Sequence, residues 1–190
     1  MSRIVVSEFI TLDGVIEDPG GSDGFDRGGW AFQFERGPEG DQFKLDEVLE
    51  AEALLLGRVT YEGFARAWPD RTDEVGFADK MNSMPKYVVS ATLEEAEWSG
   101  STLIKGDVAT EVAKLKERRG DDILVNGSGQ LVQTLVEHDL VDEYRLMVFP
   151  IVLGSGQRLF GDTSDTSSLK LVETKPVGDC VILTYQPAGK

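Results

Sequence analysis

The feature that most constrains the fold is an alternation of short β-type runs with segments of helical periodicity, which continues as far as residue 149. Apolar and β-branched runs predict strands, and apolar residues that recur every three or four positions predict helices. The runs 54–56 and 123–125 are apolar throughout, which is typical of interior strands. The predicted strands are residues 3–12, 53–56, 86–90, 102–104, 122–125 and 142–149. The predicted helices are residues 41–51, 60–67, 107–118 and 130–137, with one further helical turn around 76–81.

Such alternation is typical of an α/β fold in which a mainly parallel sheet is covered by helices on both faces. Two further β-type runs follow, at 168–174 and 180–186, with a turn sequence around 176–179 between them. We expect these runs to form a hairpin and to add an antiparallel edge to the sheet. No repeat, linker or low-complexity tract interrupts the chain, so the sequence predicts a single domain over residues 1–190.

The chain is strongly acidic, with 34 Asp and Glu residues against 19 Lys and Arg residues and a net charge of −15. Such a surface repels phosphate backbones and anionic lipid headgroups, so we expect neither nucleic acid nor a membrane as a partner. A phosphate-bearing ligand would need a local binding device, such as the N-terminus of a helix. The single cysteine and the single histidine leave no internal disulfide and few soft metal ligands. We therefore predict a cytoplasmic protein without a metal site.

Two predicted strand-to-helix junctions contain glycine, and ligands of open α/β sheets bind at such junctions. At the first, Gly57 allows a ligand to approach the backbone, Arg58 can pair with phosphate and Thr60 can donate a hydrogen bond. At the second, the segment 126–130 has glycine at two positions, and its successive N–H groups can face an anion. Either junction alone is more often a tight turn that needs positive φ. Two of them in one chain favour a dinucleotide ligand.

Five segments, in this order along the chain, resemble the dihydrofolate-reductase-like superfamily. The closer similarity is to the reductase domain of bifunctional riboflavin-biosynthesis enzymes and to its stand-alone bacterial relatives. The segments are residues 7–16, 55–62, 87–90, 123–129 and 150–160.

The resemblance implies a three-layer α/β fold with a mixed, mainly parallel central sheet and helices on both faces. It implies NADPH as the cofactor and hydride transfer to a small heterocyclic, carbonyl or imine substrate that resembles a riboflavin precursor or a pterin. It also implies a homodimer, for which the two closing strands are the expected contact.

The resemblance also implies roles for individual residues. The cofactor phosphates would lie against Gly57, Arg58, Val59, Thr60, Asn126, Gly127, Ser128, Gly129 and Gln130. The adenosine ribose and its 2′-phosphate would lie beside Ser90, Ala91 and Thr92. The nicotinamide would be bordered by Leu12, Asp13, Gly14 and Val15. The loop that extends to Trp30 would act as a lid. Apart from the resemblance, the aromatic residues Trp30, Phe32, Phe34 and Trp68 could cover an apolar pocket for a ring substrate, or equally form lid packing or a dimer surface.

Some positions depart from the family pattern or suggest chemistry. Counting back from Gly57 places Asp41 where folate reductases have the acidic residue that binds the pterin. Met84 stands where those enzymes have the arginine that holds the glutamate tail, which argues against folate as the substrate. A hydride acceptor needs a proton donor, and Asp13 is the first candidate because it ends a central strand, although an Asp-Gly pair also serves as a turn. Tyr61, in the first turn of the second helix, is the other catalytic candidate, as a residue that lines the pocket.

Two alternative functions stay open, because fold alone does not establish turnover. The first is a nucleotide-binding or ligand-binding protein that keeps the fold without catalysis, and the second is a reductase that uses a flavin or deazaflavin. Tight nucleotide binding without turnover would indicate the former, and a yellow or fluorescent purified protein would indicate the latter.

Overall fold

The computed structural model describes residues 1–118, 120–161 and 166–189, so residues 119, 162–165 and 190 of the predicted domain lie outside it. The strands are β1 (Ile4–Thr11), β2 (Ala53–Gly57), β3 (Lys86–Val89), β4 (Ser101–Ile104), β5 (Ile123–Val125), β6 (Glu143–Phe149), β7 (Leu169–Val177) and β8 (Cys180–Pro187). The helices are α1 (Gly37–Glu50), α2 (Arg58–Ala67), α3 (Phe77–Ser83), α4 (Val108–Lys116) and α5 (Gly129–Glu137), preceded by a short 3-10 helix, Trp30–Gln33.

The described strands form one sheet in the order β4-β3-β2-β5-β1-β6-β8-β7. Strands β1 to β6 run parallel to one another, whereas β8 pairs antiparallel with both β6 and β7. The predicted hairpin is present, since Val177 pairs with Cys180 across its turn. The predicted mixed, mainly parallel sheet with an antiparallel edge is confirmed.

Helices cover both faces of the sheet, as predicted. On one face, Ile123 and Val125 of β5 belong to an apolar cluster that includes residues of α4 and α5. On the other face, Leu124 of the same strand joins a cluster with residues of α1, α2 and α3. Side chains of β2 at positions 54–56 are fully buried, which confirms that this run is an interior strand.

The chain leaves the neighbouring strands β1 and β5 in opposite directions. After β1 it passes through α1 to β2, which lies beyond β5 on one side. After β5 it passes through α5, on the opposite face, to β6 on the other side of β1. In open α/β sheets, ligands bind at the carboxyl ends of strands where the connections diverge in this way. The crevice between the ends of β1 and β5 is therefore the place in this fold to look for a site.

Two helices are longer than their sequence patterns indicate. Helix α1 begins at Gly37 rather than at residue 41, because Pro38 is well suited to a first helical turn, which needs no N–H from it. Helix α3 extends over a full seven residues because the Asp73 carboxylate accepts the N–H groups of Phe77 and Ala78, at 2.9 and 2.6 Å. The glycines, the proline and the polar residues in these segments conceal the apolar periodicity of a helix.

Strand β7 lies at the edge of the sheet, and most of its residues are exposed. Pro176 is accommodated there because an edge strand has one row of N–H groups without a partner strand. The homodimer expected through the closing strands stays a prediction. Among the described residues, no helix combines the length and the apolar character that a membrane span requires.

Candidate active site

The two glycine-rich junctions lie side by side at the carboxyl edge of the sheet. The Gly57 N–H donates to Ser128 Oγ at 2.9 Å, and the Ser128 N–H donates to Thr60 Oγ1, also at 2.9 Å. Although 71 positions separate Gly57 from Ser128 in the chain, the two junctions form one continuous surface.

Glycine is required at position 127 by the packing of the two junctions. Gly127 has a φ of +55°, and a Cβ there would lie 2.7 Å from Thr60 Oγ1. Ser128 is also left-handed, with a φ of +59°. The Ser128 hydroxyl accepts the Gly57 N–H and donates to Asn126 O at 2.9 Å, which compensates for its unfavourable backbone conformation.

Helices α2 and α5 both begin in this surface, and neither start has a side-chain hydrogen-bond cap. The first N–H groups of a helix have no partner within it and attract anions. Arg58, the first residue of α2, pairs with Glu62 at 3.0 Å, and its side chain is 44% exposed. Val59 and Gln130, in the first turns of the two helices, are also exposed. These residues could hold a diphosphate, because two helix starts without side-chain caps lie beside one accessible guanidinium, although Gly129 at the start of α5 is itself buried.

The segment after β3 lies beside the first junction, since Gly57 pairs with Val89 in the sheet. Ser90 is buried, and its hydroxyl oxygen accepts the N–H groups of Thr92 and Leu93 at 3.2 and 3.0 Å. Ala91 and Thr92 are exposed at the resulting turn. Ser90 therefore shapes this turn, and the two exposed residues are the ones that a ligand can reach.

The end of β1 forms the next part of the edge. Leu12 is 64% exposed, and its N–H donates to Ile151 O at 2.9 Å. Gly14 has a φ of +82° in the turn that follows. Val15 is fully buried and pairs with Arg158 in an isolated bridge. Of these positions, Leu12 presents an accessible apolar side chain at the crevice.

Asp13 binds two loops together rather than presenting a free acid. Its carboxylate accepts hydrogen bonds from Thr11 Oγ1 at 2.7 Å, from Leu153 N–H at 3.1 Å and from Gly154 N–H at 2.8 Å. These donors, the Thr11 hydroxyl first among them, lower the pKa of Asp13 to about 2. An ionised carboxylate of this kind has no proton to give at neutral pH, so the geometry fits the turn role better than the acid role.

Asp13→Asn should therefore lower stability in a pH-dependent way. At pH 7 we expect a loss of about 1–2 kcal/mol, or roughly 2–8 °C in Tm, because hydrogen bonds to a charged acceptor are lost. A lowered pKa contributes stability above the ordinary pKa of aspartate, 3.8, and that contribution disappears as the pH falls towards about 2. The difference between the variant and the wild type should shrink between pH 4 and pH 2 in thermal unfolding followed by circular dichroism. Asp26→Asn, an exposed site in the same loop, is the control, and a pH-independent difference would contradict the prediction.

Three of the residues proposed from sequence do not lie in the crevice. Tyr61 is buried in the α2 face, where its hydroxyl accepts the Trp98 N–H at 3.0 Å. Trp30 is completely buried against Phe149, and its indole N–H donates to a backbone carbonyl at 2.9 Å. Asp41 lies near the start of α1 with its side chain 63% exposed and ion-paired. Tyr61 and Trp30 pack in the apolar core, and Asp41 lies on the surface of α1.

Glu8 is a buried acid beside the second junction that the sequence reasoning did not single out. Its side chain is buried, and Oε2 accepts the Gly127 N–H at 3.0 Å. Burial raises the pKa of this carboxyl well above its ordinary value. The signal was present in the sequence, since Glu8 is the one acidic residue within the otherwise uncharged strand 4–11.

The loop that follows β1 is held at one end and exposed in its middle. Hydrogen bonds hold residues 12–18, including Ile16 N–H to Gln157 O at 2.9 Å. Most of residues 20–27 are exposed, and Arg27 donates from this segment to Leu153 O. A methyl group on Gly63 of α2 would lie 3.7 Å from Asp23 Oδ1, so the segment reaches across to α2. The lid role expected for this loop stays a prediction, and residues 20–27 are its exposed part.

A separate cleft of about 340 Å³ lies at the opposite edge of the sheet, between α1 and the strands β6, β7 and β8. The charged side chains of Arg3, Glu143 and Arg145 line it, and they pair with one another at 2.8 to 3.1 Å. The charges of these three side chains are balanced within the protein, and the other charged residues that line the cleft are acidic, namely Asp46, Glu47, Glu50 and Glu173.

The place where the chain leaves β1 and β5 in opposite directions is the switch point of the sheet. The sheet order, the helical layers and the crevice at this switch point define a dihydrofolate-reductase-like α/β protein. Dihydrofolate reductase from Enterococcus faecalis, solved with NADP(H), superimposes with a TM-score of 0.57 at 15% identity, over 98% of this chain and 96% of that one. A candidate riboflavin biosynthesis protein from Shewanella sp. PV-4 superimposes better, with a TM-score of 0.77 at 23% identity, over 97% and 98% of the two chains.

The chain belongs to the RibD C-terminal domain family, whose sequence model matches residues 2–183. The uncharacterized protein YyaP of Bacillus subtilis (strain 168) is 31% identical over 183 residues, which are 95% of this chain and 92% of YyaP. The Thermotoga maritima diaminohydroxyphosphoribosylaminopyrimidine deaminase/5-amino-6-(5-phosphoribosylamino)uracil reductase has the same fold, with a TM-score of 0.64 at 16% identity. The match covers 98% of this chain and 57% of that longer one. The resemblance inferred from sequence is thereby confirmed.

Proposed function

We propose that this protein is an NADPH-dependent reductase that transfers a hydride to a small heterocyclic, carbonyl or imine substrate. The observation that carries the proposal is the direct hydrogen bonding of two uncapped helix starts at the switch point of the sheet. Two such helix starts side by side suit the two phosphates of a dinucleotide. Membership of the RibD C-terminal domain family supports the same activity.

The residues of the crevice divide into three groups in this proposal. Arg58 and the first turns of α2 and α5 hold the diphosphate. Ala91 and Thr92, at the turn beside Gly57, lie where the 2′-phosphate would be bound. Leu12, beside the turn at Gly14, supplies apolar surface for the nicotinamide ring. The cofactor, when bound, supplies the hydride, and the chain orients it and shields the crevice from water.

The substrate proposed is small and lacks a long anionic tail. Met84 is buried in the apolar cluster on the α1 face, so this position offers no cation for a glutamate tail. The net charge of −15 also disfavours substrates with many negative charges. A ring compound that resembles a riboflavin precursor, with a C=N or C=O bond to reduce, meets both conditions.

Arg58→Ala should weaken NADPH binding by about 10- to 100-fold, because a charge-assisted bond to phosphate is worth roughly 1.5–3 kcal/mol. The substitution also leaves the Glu62 carboxylate, its present partner at 3.0 Å, near the ligand phosphate. The measurement is a calorimetric titration of the purified variant and the wild type with NADPH.

Two matched variants show whether the effect of Arg58→Ala is specific to position 58. Arg66→Ala removes an exposed arginine from the last turn of the same helix and should leave the affinity unchanged. Glu62→Gln frees Arg58 from its ion pair and should tighten binding. An Arg58→Ala variant that binds like the wild type would remove Arg58 from the proposed site. Titration with NADH, which lacks the 2′-phosphate, measures how much that phosphate contributes to affinity. Tight NADPH binding without turnover of any substrate would favour a binding protein.

A further inference from the structure

Strands β1 and β5 separate at the switch point, and Glu8 lies where they part. Their pairing ends at Val6 and Val125. Beyond it, the Asn126 side-chain amide donates to Ser7 O at 2.9 Å, and the Gly127 N–H donates to Glu8 Oε2 at 3.0 Å. The Glu8 carboxyl group thus links β1 to the glycine-rich junction that begins α5, as does the Asn126 amide.

The second oxygen of this carboxyl group has no partner among the described residues. Glu8 is only 4% exposed, and Oε1 is fully buried without a hydrogen bond. A lone anionic oxygen in such a place is strongly unfavourable, whereas a neutral acid presents an O–H donor there. A buried donor without an acceptor needs a partner atom, and a ligand that enters where β1 and β5 separate would supply one if it reached Oε1.

The charged groups that act on Glu8 do not neutralise it. Lys44 and Glu47 of α1 face it from the other side of β1, because Ser7 and Glu8 point to opposite faces of the strand. The Lys44 ammonium is bound to the Glu47 carboxylate and donates to Ser7 Oγ at 2.8 Å. Its charge is therefore already balanced by Glu47, and burial raises the pKa of Glu8.

We propose that Glu8 is the general acid of the reductase site, with its Oε1–H directed to the acceptor atom of a bound substrate. The inference rests on the proposed function. Asp13, the acid expected from sequence, is ionised and saturated with donors. Glu8 is the carboxyl group at the switch point that keeps a proton to transfer.

The proton and electron balance is simple. The substrate carbon of a C=N or C=O bond accepts a hydride from the reduced nicotinamide, and the π electron pair moves to nitrogen or oxygen. The Glu8 O–H bond breaks, and its proton forms the new N–H or O–H bond. Solvent returns a proton to the Glu8 carboxylate after the product leaves. One reduced nicotinamide and one proton are consumed for each substrate reduced.

The first test measures protonation directly. Difference infrared spectra of the wild type against Glu8→Gln should show a carboxylic acid C=O band at neutral pH that is lost at alkaline pH. Glutamine keeps an acceptor for the Gly127 N–H but has no transferable proton. If Glu8→Gln does not fold, Glu8→Asp serves for the band assignment. A carboxylate band at neutral pH would overturn the proposal whatever the enzyme activity.

The second test separates an acid from a residue that only positions the Gly127 turn. NADPH affinity should be the same in the wild type and in Glu8→Gln, whereas oxidation of NADPH with a panel of cyclic imines and ketones should fall about 100-fold or more. The wild-type rate should fall above the pKa of Glu8 and show a solvent isotope effect, and both should be absent in Glu8→Gln. Loss of NADPH affinity in the variant would indicate positioning and overturn the acid role, as would an unchanged rate.

The two proposals fail in distinguishable ways. A wild type that binds no NADPH overturns the proposed function and the acid role with it, while the infrared band still reports the state of Glu8. A wild type that binds NADPH but reduces no member of the panel overturns the proposed acid role for C=N and C=O substrates and leaves the cofactor assignment intact.

Discussion

Replacing Lys86 by methionine should destabilise the fold by about 3 kcal/mol or more, because each buried carbonyl that loses its donor costs roughly 1–3 kcal/mol. The Lys86 side chain is completely buried at the start of β3. Its ammonium donates to the carbonyl oxygens of Asn82, Met84 and Ser99 at 3.0, 2.8 and 2.9 Å. Methionine has a similar volume but no donor. Urea unfolding of the two proteins measures the difference in the free energy of unfolding.

Lys105→Met is the control, because Lys105 is exposed and the same change there should leave stability nearly unaltered. The pH dependence gives a second check. Burial lowers the pKa of Lys86 to about 8 from 10.5, so between these values the unfolded chain holds a proton that the folded chain has lost. Wild-type stability relative to Lys86→Met should therefore rise from pH 8 to pH 10. A variant as stable as the wild type at pH 7 would contradict the role of the three hydrogen bonds.

Gly127→Ala should abolish measurable NADPH binding, with a loss of about 100-fold or more if the two junctions separate. A Cβ at this position would lie 2.7 Å from Thr60 Oγ1, which holds the Ser128 N–H, so the contact between the two helix starts must open. The positive φ of +55° adds about 1–2 kcal/mol of strain for a residue with a side chain. NADPH titration and thermal unfolding are the measurements.

Two further variants separate steric contact from strain. Gly76→Ala has the same kind of strain, with a φ of +83° and no atom within 4 Å of a Cβ, and it lies at the start of α3. It should lower stability without changing NADPH affinity. Thr60→Ala combined with Gly127→Ala removes the clashing oxygen and should recover part of the stability. NADPH binding by Gly127→Ala at wild-type affinity would show that the contact between the junctions is not needed.

Local patterns in the sequence were sufficient to predict the order of strands and helices, the interior position of β2 and β5 and the closing hairpin. These features depend on apolar periodicity and turn residues within a few positions of one another. The two glycine-rich junctions could also be found, because parallel strands bring their carboxyl ends to one edge. The first residues of α1 were not predicted to be helical, because the glycine and proline there interrupt the apolar periodicity.

The chemical state of the acidic residues depends on contacts that no local pattern contains. The Thr11 hydroxyl, two positions away, is the first donor that keeps Asp13 ionised, and two further donors come from Leu153 and Gly154, about 140 positions away. The Gly127 N–H that holds Glu8 comes from 119 positions away. A pKa depends on burial and on nearby donors and charges in space. The sequence alone therefore specified the α/β layers and where a cofactor would be sought. The tertiary contacts decided that Asp13 holds two loops together, that Tyr61 and Trp30 belong to the core, and that burial raises the pKa of Glu8.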